Sequence, residues 1–445
     1  MDNQYIVAIE IASSKIVGAV GLKDIQGKVF FQFLEEEKLV DCVSHGLPQN
    51  IEEISQRLRS VLTRLENRIP NYKIKTLFVG LGGGSFRSIS KKSLIRLPQE
   101  DMIADDHIRR LYERTLKDDF KDFEPLDIVA RKFVVDGTPV KKPIGTMATV
   151  IEGEFNLIVG KKQLKTNIDR IIDRVGYQAE DHLAMPISAA KVVLTDNERQ
   201  IGCVLVDFGA ETTTISIYKR GSLHYLFTLP FGSRCITQDL SEGLNIIESE
   251  AERKKMQLEE LSLSTTSNAK DVIGNPTNAV KNYVSARMGE IVANIVNTIK
   301  VAGFDSASLP GGMVFIGGGA KLNNFCNFVE NETKYKTRIG VLNGMISISD
   351  NRALGAEYVN IVSLIAEGAT KLKGEQSCCI RKQTAKVEVH TPEQTEVEVV
   401  PPREPQHKSS SGFGRKISSW FDKIGKVGSN IISEESPDED EEYRG

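Results

Sequence analysis

The sequence predicts an α/β protein built from two related domains that face each other across a cleft. Three observations predict it. A β-hairpin with a small, hydroxyl-bearing tip opens the chain. A second hairpin of the same design stands near mid-chain, and a long amphipathic helix is followed by a strand that runs into Gly317-Gly318-Gly319. At 445 residues the chain is too long for one ordinary core and suits two domains or more.

The first hairpin pairs two apolar, β-branched runs, Tyr5 to Ile11 and Ile16 to Val20, around the turn Ala12-Ser13-Ser14-Lys15. Apolar residues at 54, 58, 61, 62 and 65 make a helical stripe. Thr76 to Leu81 reads as a strand ended by three glycines. Residues 85–165 differ in character: charged helical text from Ile103 to Leu116, then strand-like runs at Ile128 to Val135 and Thr146 to Val159, predict a small α+β insertion. Thr166 to Val175 reads as a helix.

The second hairpin joins a buried strand, Ile201 to Asp207, to Thr214 to Tyr218 through the turn Phe208 to Thr213. Asp207 falls where Glu10 falls in the first unit, which predicts an internal duplication. Tyr283 to Lys300 is the cleanest helix, with Val284, Met288, Ile291, Ile295 and Ile299 on one face. Arg352 to Ile365 reads as the last domain helix. From Gly368 to Ser411 the composition turns to Thr, Glu, Gln, Lys and Pro, which predicts a disordered linker. Its roughly 40 residues span on the order of 35 Å as a flexible coil. Gln257 to Thr277, rich in Ser and Asn, reads as a mobile loop.

Composition excludes several classes. The net charge is -3, but Glu434 to Gly445 holds seven acids against one arginine. The rest of the chain is therefore only slightly positive, too little for a nucleic-acid footprint. No secretory leader is expected, and no run of about 18 apolar residues predicts a spanning helix. The six cysteines show no CxxC spacing and read as reduced thiols. Adjacent Cys378 and Cys379 fall in the predicted linker, where a redox or lipidation role stays open.

Chemistry follows from the tips. Turns of Gly, Ala, Ser and Thr let backbone amides and hydroxyls approach phosphate oxygens without side-chain bulk. Two such turns facing each other clamp a polyphosphate from both sides. An acid just before each turn, Glu10 and Asp207, suits a magnesium ion held through its waters. Gly317, Gly318 and Gly319 let backbone come close to a sugar or base. Near the C-terminus, Phe413, Ile417, Trp420, Phe421, Ile424, Val427 and Ile431 share one helical face. Arg415, Lys416, Lys423 and Lys426 occupy the other side, the pattern of an interfacial membrane helix. The alternative is a helix that docks in a partner's groove.

These motifs together resemble the FtsA family of bacterial cell-division proteins. Val7-Ala8-Ile9-Glu10-Ile11-Ala12-Ser13-Ser14-Lys15 is similar to the family's first phosphate loop. Leu205-Val206-Asp207-Phe208-Gly209-Ala210-Glu211-Thr212-Thr213 is similar to its second, and Phe315-Ile316-Gly317-Gly318-Gly319-Ala320 to its adenosine loop. Lys142-Pro143-Ile144-Gly145 resembles part of the subdomain inserted in that family. The likeness runs over residues 5–365, and the C-terminal helix adds to it.

The resemblance implies an actin-like, ribonuclease H-like fold. Subdomain 1A would comprise residues 1–76 and 166–190, and an SHS2-like subdomain 1C residues 77–165. Subdomain 2A would comprise 191–225 and 305–367, and subdomain 2B 226–304. A linker over 368–411, a membrane-targeting helix over 412–432 and an acidic tail over 433–445 would follow. It further implies ATP and Mg2+ in the central cleft, self-assembly into filaments, and tethering of the FtsZ ring, with other division proteins, to the cytoplasmic face of the membrane at the division site. The cofactor residues implied are Glu10, Ala12, Ser13, Ser14, Lys15, Asp207, Gly209, Ala210, Glu211, Thr212, Thr213 and Gly317 to Gly319. Arg287 and Glu290 lie on the long helix where related folds contact the base; as a solvated ion pair they would have no such role.

Two departures matter. Ala12 stands where the family usually has glycine, and Glu211 puts a carboxylate in a phosphate turn. Binding at reduced affinity is the expectation. Leu183-Ala184-Met185-Pro186 supplies no acid or glutamine to orient a water, so slow or undetectable turnover is expected and no catalytic residue is assigned. A chaperone-type ATPase would need a substrate domain after the linker. A sugar-kinase type would need a catalytic aspartate facing an acceptor pocket. A pilus-assembly homologue would lack both the insertion and the C-terminal helix.

Overall fold

The computed structural model describes residues 4–117, 120–258, 276–348 and 354–382. The predicted membrane helix, the acidic tail, most of the linker and most of the Ser- and Asn-rich loop lie outside the described residues.

Lobe one is built on β1 (Gln4–Ile11), β2 (Lys15–Lys23), β3 (Val29–Lys38), α1 (Ile51–Asn67) and β4 (Thr76–Leu81). An insertion follows, with β5 (Arg87–Met102), α2 (Asp105–Leu116), β6 (Phe123–Val135) and β7 (Met147–Lys161). The chain returns through α3 (Lys162–Val175), β8 (Gln178–Ala184) and α4 (Met185–Val193). Lobe two holds β9 (Cys203–Phe208), β10 (Thr213–Lys219), β11 (Ser222–Leu229), α5 (Ser233–Leu244), α6 (Glu248–Met256), α7 (Pro276–Val301), β12 (Met313–Ile316), α8 (Phe325–Thr333) and β13 (Thr337–Ile339). Helix α9 (Val359–Lys371) and strand β14 (Cys379–Arg381) end the described chain.

The duplication is visible in the sheets. Lobe one runs β8-β4-β1-β2-β3 and lobe two runs β13-β12-β9-β10-β11, the same order with the same directions. In each hairpin the acid sits one residue before the last pair, Ile11–Ile16 or Phe208–Thr213, and four residues form the turn. The fold is actin-like.

Helix α1 forms where its apolar stripe predicts. Asn50 caps it by accepting from the Glu53 amide at 3.1 Å, and Glu52 and Glu53 complement the N-terminal dipole. Ile54, Leu58, Val61, Leu62 and Leu65 are fully buried. Gly18 of β2 admits α1, since a Cβ there would stand 2.7 Å from Val61. Gly21 on the opposite face admits α9, where a Cβ would meet Ile365 at 2.2 Å. In lobe two, Val284, Met288, Ile291, Ile295 and Ile299 of α7 pack in the core with Phe208 and Phe315.

Four expected boundaries are corrected. Strand β4 lies between β1 and β8 in the lobe-one sheet, so the insertion begins after it rather than at residue 77. The last helix runs on to Lys371 and packs on lobe one, not on subdomain 2A, because Ile361, Val362, Leu364 and Ile365 complete that core. Ile201 ends a short helix, and the strand begins at Cys203. The linker does not begin at 368: β14 pairs with Tyr72–Ile74, and both Cys378 and Cys379 are buried.

The insertion forms its own core around Ile108, Leu111, Tyr112 and Phe155. It also leans on lobe two, where Phe227 of β11 pairs with Arg87 of β5. Asn156 donates to the Leu223 carbonyl at 2.6 Å, and Arg131 lies 3.2 Å from Nδ1 of His224.

Candidate functional site

The duplicated hairpins bring their acids together. Glu10, 7% exposed, comes from lobe one, and Asp207 from lobe two. Asn360 of α9 stands between them, with its Nδ2 donating to Glu10 Oε1 at 3.2 Å and to Asp207 Oδ2 at 2.9 Å. Burial, then the facing Asp207, pushes the Glu10 carboxyl up to about 7, while Asn360 and Lys15 act against the rise. Asp207 is also raised by burial, with Asn360 opposing.

A buried and a half-buried carboxylate held to one amide favour a cation between them. Asn360 Oδ1 is buried with no hydrogen-bond partner, an oxygen left over beside the pair. No third acid, histidine or cysteine completes a metal-binding cluster among the described residues. Two carboxylates suit magnesium, which keeps most of its waters. The donor set therefore fits the ion.

The turns also face each other. In the first, the Ala12 amide donates to the Lys15 carbonyl at 2.9 Å. Ser13 is buried and Ser14 exposed. Lys15 pairs with Glu36 at 2.8 Å and lies over the Tyr358 ring. In the second, the Gly209 amide donates to the Thr212 carbonyl at 2.9 Å. The amides of Ser233 and Arg234, at the start of α5, donate to the Gly209 and Ala210 carbonyls. Adjacent residues of one lobe-one loop connect the two turns: Gly46 N donates to Ser13 Oγ at 3.0 Å and His45 N to Glu211 Oε2 at 2.8 Å.

The glycine-rich loop divides its labour. Gly317 sits at φ +90°, and a Cβ there would stand 2.5 Å from the Phe208 carbonyl and 2.7 Å from Asp207 Oδ1. Gly319 packs on the Phe208 ring, and Gly318 faces open space, where a flat ligand group can approach the backbone.

Some site residues are engaged differently from expectation. Thr213 is fully buried and its hydroxyl donates to the Phe231 carbonyl at 2.9 Å, so it supports the turn rather than facing the cleft. Glu211 turns to Arg234 and His45, away from a direct clash with phosphate. Arg287 is bidentate to Asp239 and donates to Glu290 at 2.6 Å. Residues that sequence reasoning missed are His45, Gly46, Arg234 and Asn360. Only Asn360 carried a signal, as the one amide in the run Val359 to Ile365, where Ser363 is the sole other polar residue.

Comparison with known proteins adds independent findings. Residues 204–363 match the family model described as Cell division protein FtsA, and residues 83–159 match the SHS2 domain inserted in FTSA. Cell division protein FtsA of Porphyromonas gingivalis is 32% identical over 337 residues, covering 73% of this chain and 70% of that protein. That of Neisseria meningitidis is 24% identical over 382 residues, covering 83% and 91%. That of Bacillus subtilis is 26% identical over 376 residues, covering 80% and 83%. Among solved structures, the PilM-PilN type IV pilus biogenesis complex aligns with a TM-score of 0.56 at 12% identity, over 82% of this chain and 98% of that one. That likeness concerns the fold alone.

Proposed function

The chain belongs to the FtsA family of cell division proteins, and from that premise we propose that it is a nucleotide-binding scaffold that fastens the division machinery to the membrane. The observation that carries the nucleotide part is the meeting of Glu10 and Asp207, one from each lobe, beneath two turns joined by His45 and Gly46. Glu10 and Asp207 hold Mg2+ through its waters. The amides and hydroxyls of Ser13, Ser14, Gly209, Ala210 and Thr212 meet the phosphates of ATP, with Lys15 at the rim. Gly317 and Gly318 meet the adenosine. Bound magnesium supplies charge neutralisation for the phosphates, and the protein's own groups orient them. Turnover is slow or undetectable, since Leu183 to Pro186 bring no water-orienting group.

The scaffold self-assembles into filaments and tethers FtsZ, with other division proteins, at the cytoplasmic face of the membrane. Attachment is peripheral, through Phe413, Ile417, Trp420, Phe421, Ile424 and Val427. No described helix is long and apolar enough to cross a membrane. One such helix binds modestly, and a filament carrying many gains by avidity. The matched SHS2 domain favours this reading over a pilus-type homologue.

Two measurements test it. Calorimetric titration of the full chain with ATP should give magnesium-dependent binding, and no heat with or without magnesium would end the nucleotide reading. Co-sedimentation with anionic liposomes should be lost when residues 412–432 are removed. A chaperone or kinase on this fold predicts no difference between the two chains.

A further inference from the structure

Glu211 has a definite occupation. Its side chain is only 13% exposed, and both carboxylate oxygens are used. Oε1 accepts from Arg234 Nη1 at 2.9 Å, and Oε2 accepts from the His45 amide at 2.8 Å. Nδ1 of His45 lies 3.1 Å from the Glu211 carbonyl oxygen. Arg234 reaches further, donating from Nη2 to Asp41 Oδ1 at 2.9 Å and passing 3.3 Å from Glu248.

These contacts cross the cleft. Asp41 and His45 belong to the lobe-one loop between β3 and α1, whereas Glu211, Arg234 and Glu248 belong to lobe two. The loop is itself fixed to lobe one, where the Gly84 amide donates to the His45 carbonyl at 2.7 Å and the Gly46 amide to Ser13 Oγ at 3.0 Å. Glu211 and Arg234 thus grip a part of lobe one that cannot follow lobe two outward. The grip lies directly beside both phosphate turns.

We propose that Glu211 and Arg234 form an interlobe clasp that closes the phosphate end of the cleft, and that breaking it sets how fast a bound nucleoside triphosphate leaves. The clasp stands on contacts within the chain, and only its effect on exchange rests on the nucleotide reading. It also gives the carboxylate in the second turn a use: neutralised by Arg234, it fastens the lobes instead of repelling phosphate. Charge-assisted hydrogen bonds of this kind, once lost, change an opening equilibrium by roughly tenfold or more.

The test uses the full chain and has two arms. Hydrogen exchange without nucleotide is followed for the segment 41–46 in wild type, E211A and R234Q. Both variants should speed exchange at the His45 amide by roughly tenfold, while α1 keeps its protection. Arg234 reaches the His45 loop by two routes, through Glu211 and through Asp41, so D41A is the control: removing the second route alone should leave the His45 amide protected, while R234Q should not. Dissociation of a fluorescent ATP analogue with magnesium should also quicken by roughly tenfold in E211A and R234Q. The double variant should be no faster than the singles, since both break one clasp. Wild-type exchange at His45 in R234Q, or equal acceleration in α1, overturns the clasp. If the wild type binds no analogue, the nucleotide reading fails and the exchange arm alone decides.

Discussion

Glu10→Gln should stabilise the nucleotide-free protein at alkaline pH and abolish its stabilisation by Mg-ATP. The first half follows from the acid pair. Burial and Asp207 together raise the Glu10 carboxyl from 4.5 to about 7. A carboxyl raised on folding binds an extra proton in the native state, so stability falls as pH rises from the unfolded to the folded value. Below pH 4.5 the cost is absent; above pH 8 it is complete, at most roughly 3 kcal/mol. Glutamine keeps the shape, carries no charge, and offers an amide to Asp207. Its gain should therefore be roughly 2–3 kcal/mol at pH 8.5 and under about 1 kcal/mol at pH 5. In a thermal melt with chelator, each kcal/mol moves the lobe-one midpoint by roughly 2–4 °C. Adding Mg-ATP should raise the wild-type midpoint and leave the variant nearly unmoved. A variant less stable than wild type at pH 8.5, or equally stabilised at both pH values, would refute the account of the pair.

His224, where lobe two meets the insertion, should make a second pH dependence of opposite sign. Burial and then Arg131 lower it from 6.5 to about 4, so its contribution is intact above pH 6.5 and lost as pH falls through 4; His224→Gln should flatten acid unfolding between pH 6 and 4. Gly317→Ala places a Cβ at φ +90° against the Phe208 carbonyl and should cost roughly 2–3 kcal/mol, read by denaturant melts, and weaken ATP binding with it. Burial pushes the Cys378 thiol up to about 11 and raises Cys379 as well. Native protein should therefore alkylate at half-exposed Cys235 and Cys326 first, with Cys378 and Cys379 reacting only on unfolding, as peptide mapping would show.

Local encoding explains what the sequence revealed. Each hairpin carries its strands, turn and acid within about twenty residues, so alternation and spacing alone place Glu10 and Asp207 at matching positions. The stripes of α1 and α7 are likewise local, and all their predicted apolar positions are buried. Long-range pairings left no such trace. Nothing near Cys378 indicates that the Tyr72–Ile74 strand will bind the segment beyond it, and its polar neighbours suggested solvent instead. The glycines after strand β4 mark where it ends but not which sheet holds it, and its partners, β1 and β8, are far apart in the chain. The clasp joins residues 166 apart in the chain, from types common on any surface.

Helix α9 connects these parts into one mechanical path. It follows lobe two in sequence but buries its apolar face in lobe one, so it crosses beneath the cleft. At its first turn Asn360 touches an acid from each lobe, and at its last turn Lys371 pairs with Asp181 at lobe one. The chain then adds β14 to lobe one and continues from Lys382 toward the C-terminal region. A rotation of lobe two about this helix must shift Asp207 against Asn360 while β14 stays with lobe one. The C-terminal segment therefore departs from the lobe that carries the first turn, and the helix leading to it meets the second lobe at Asn360 and, just before its first turn, through the Gly317–Ala356 and Lys321–Glu357 bonds.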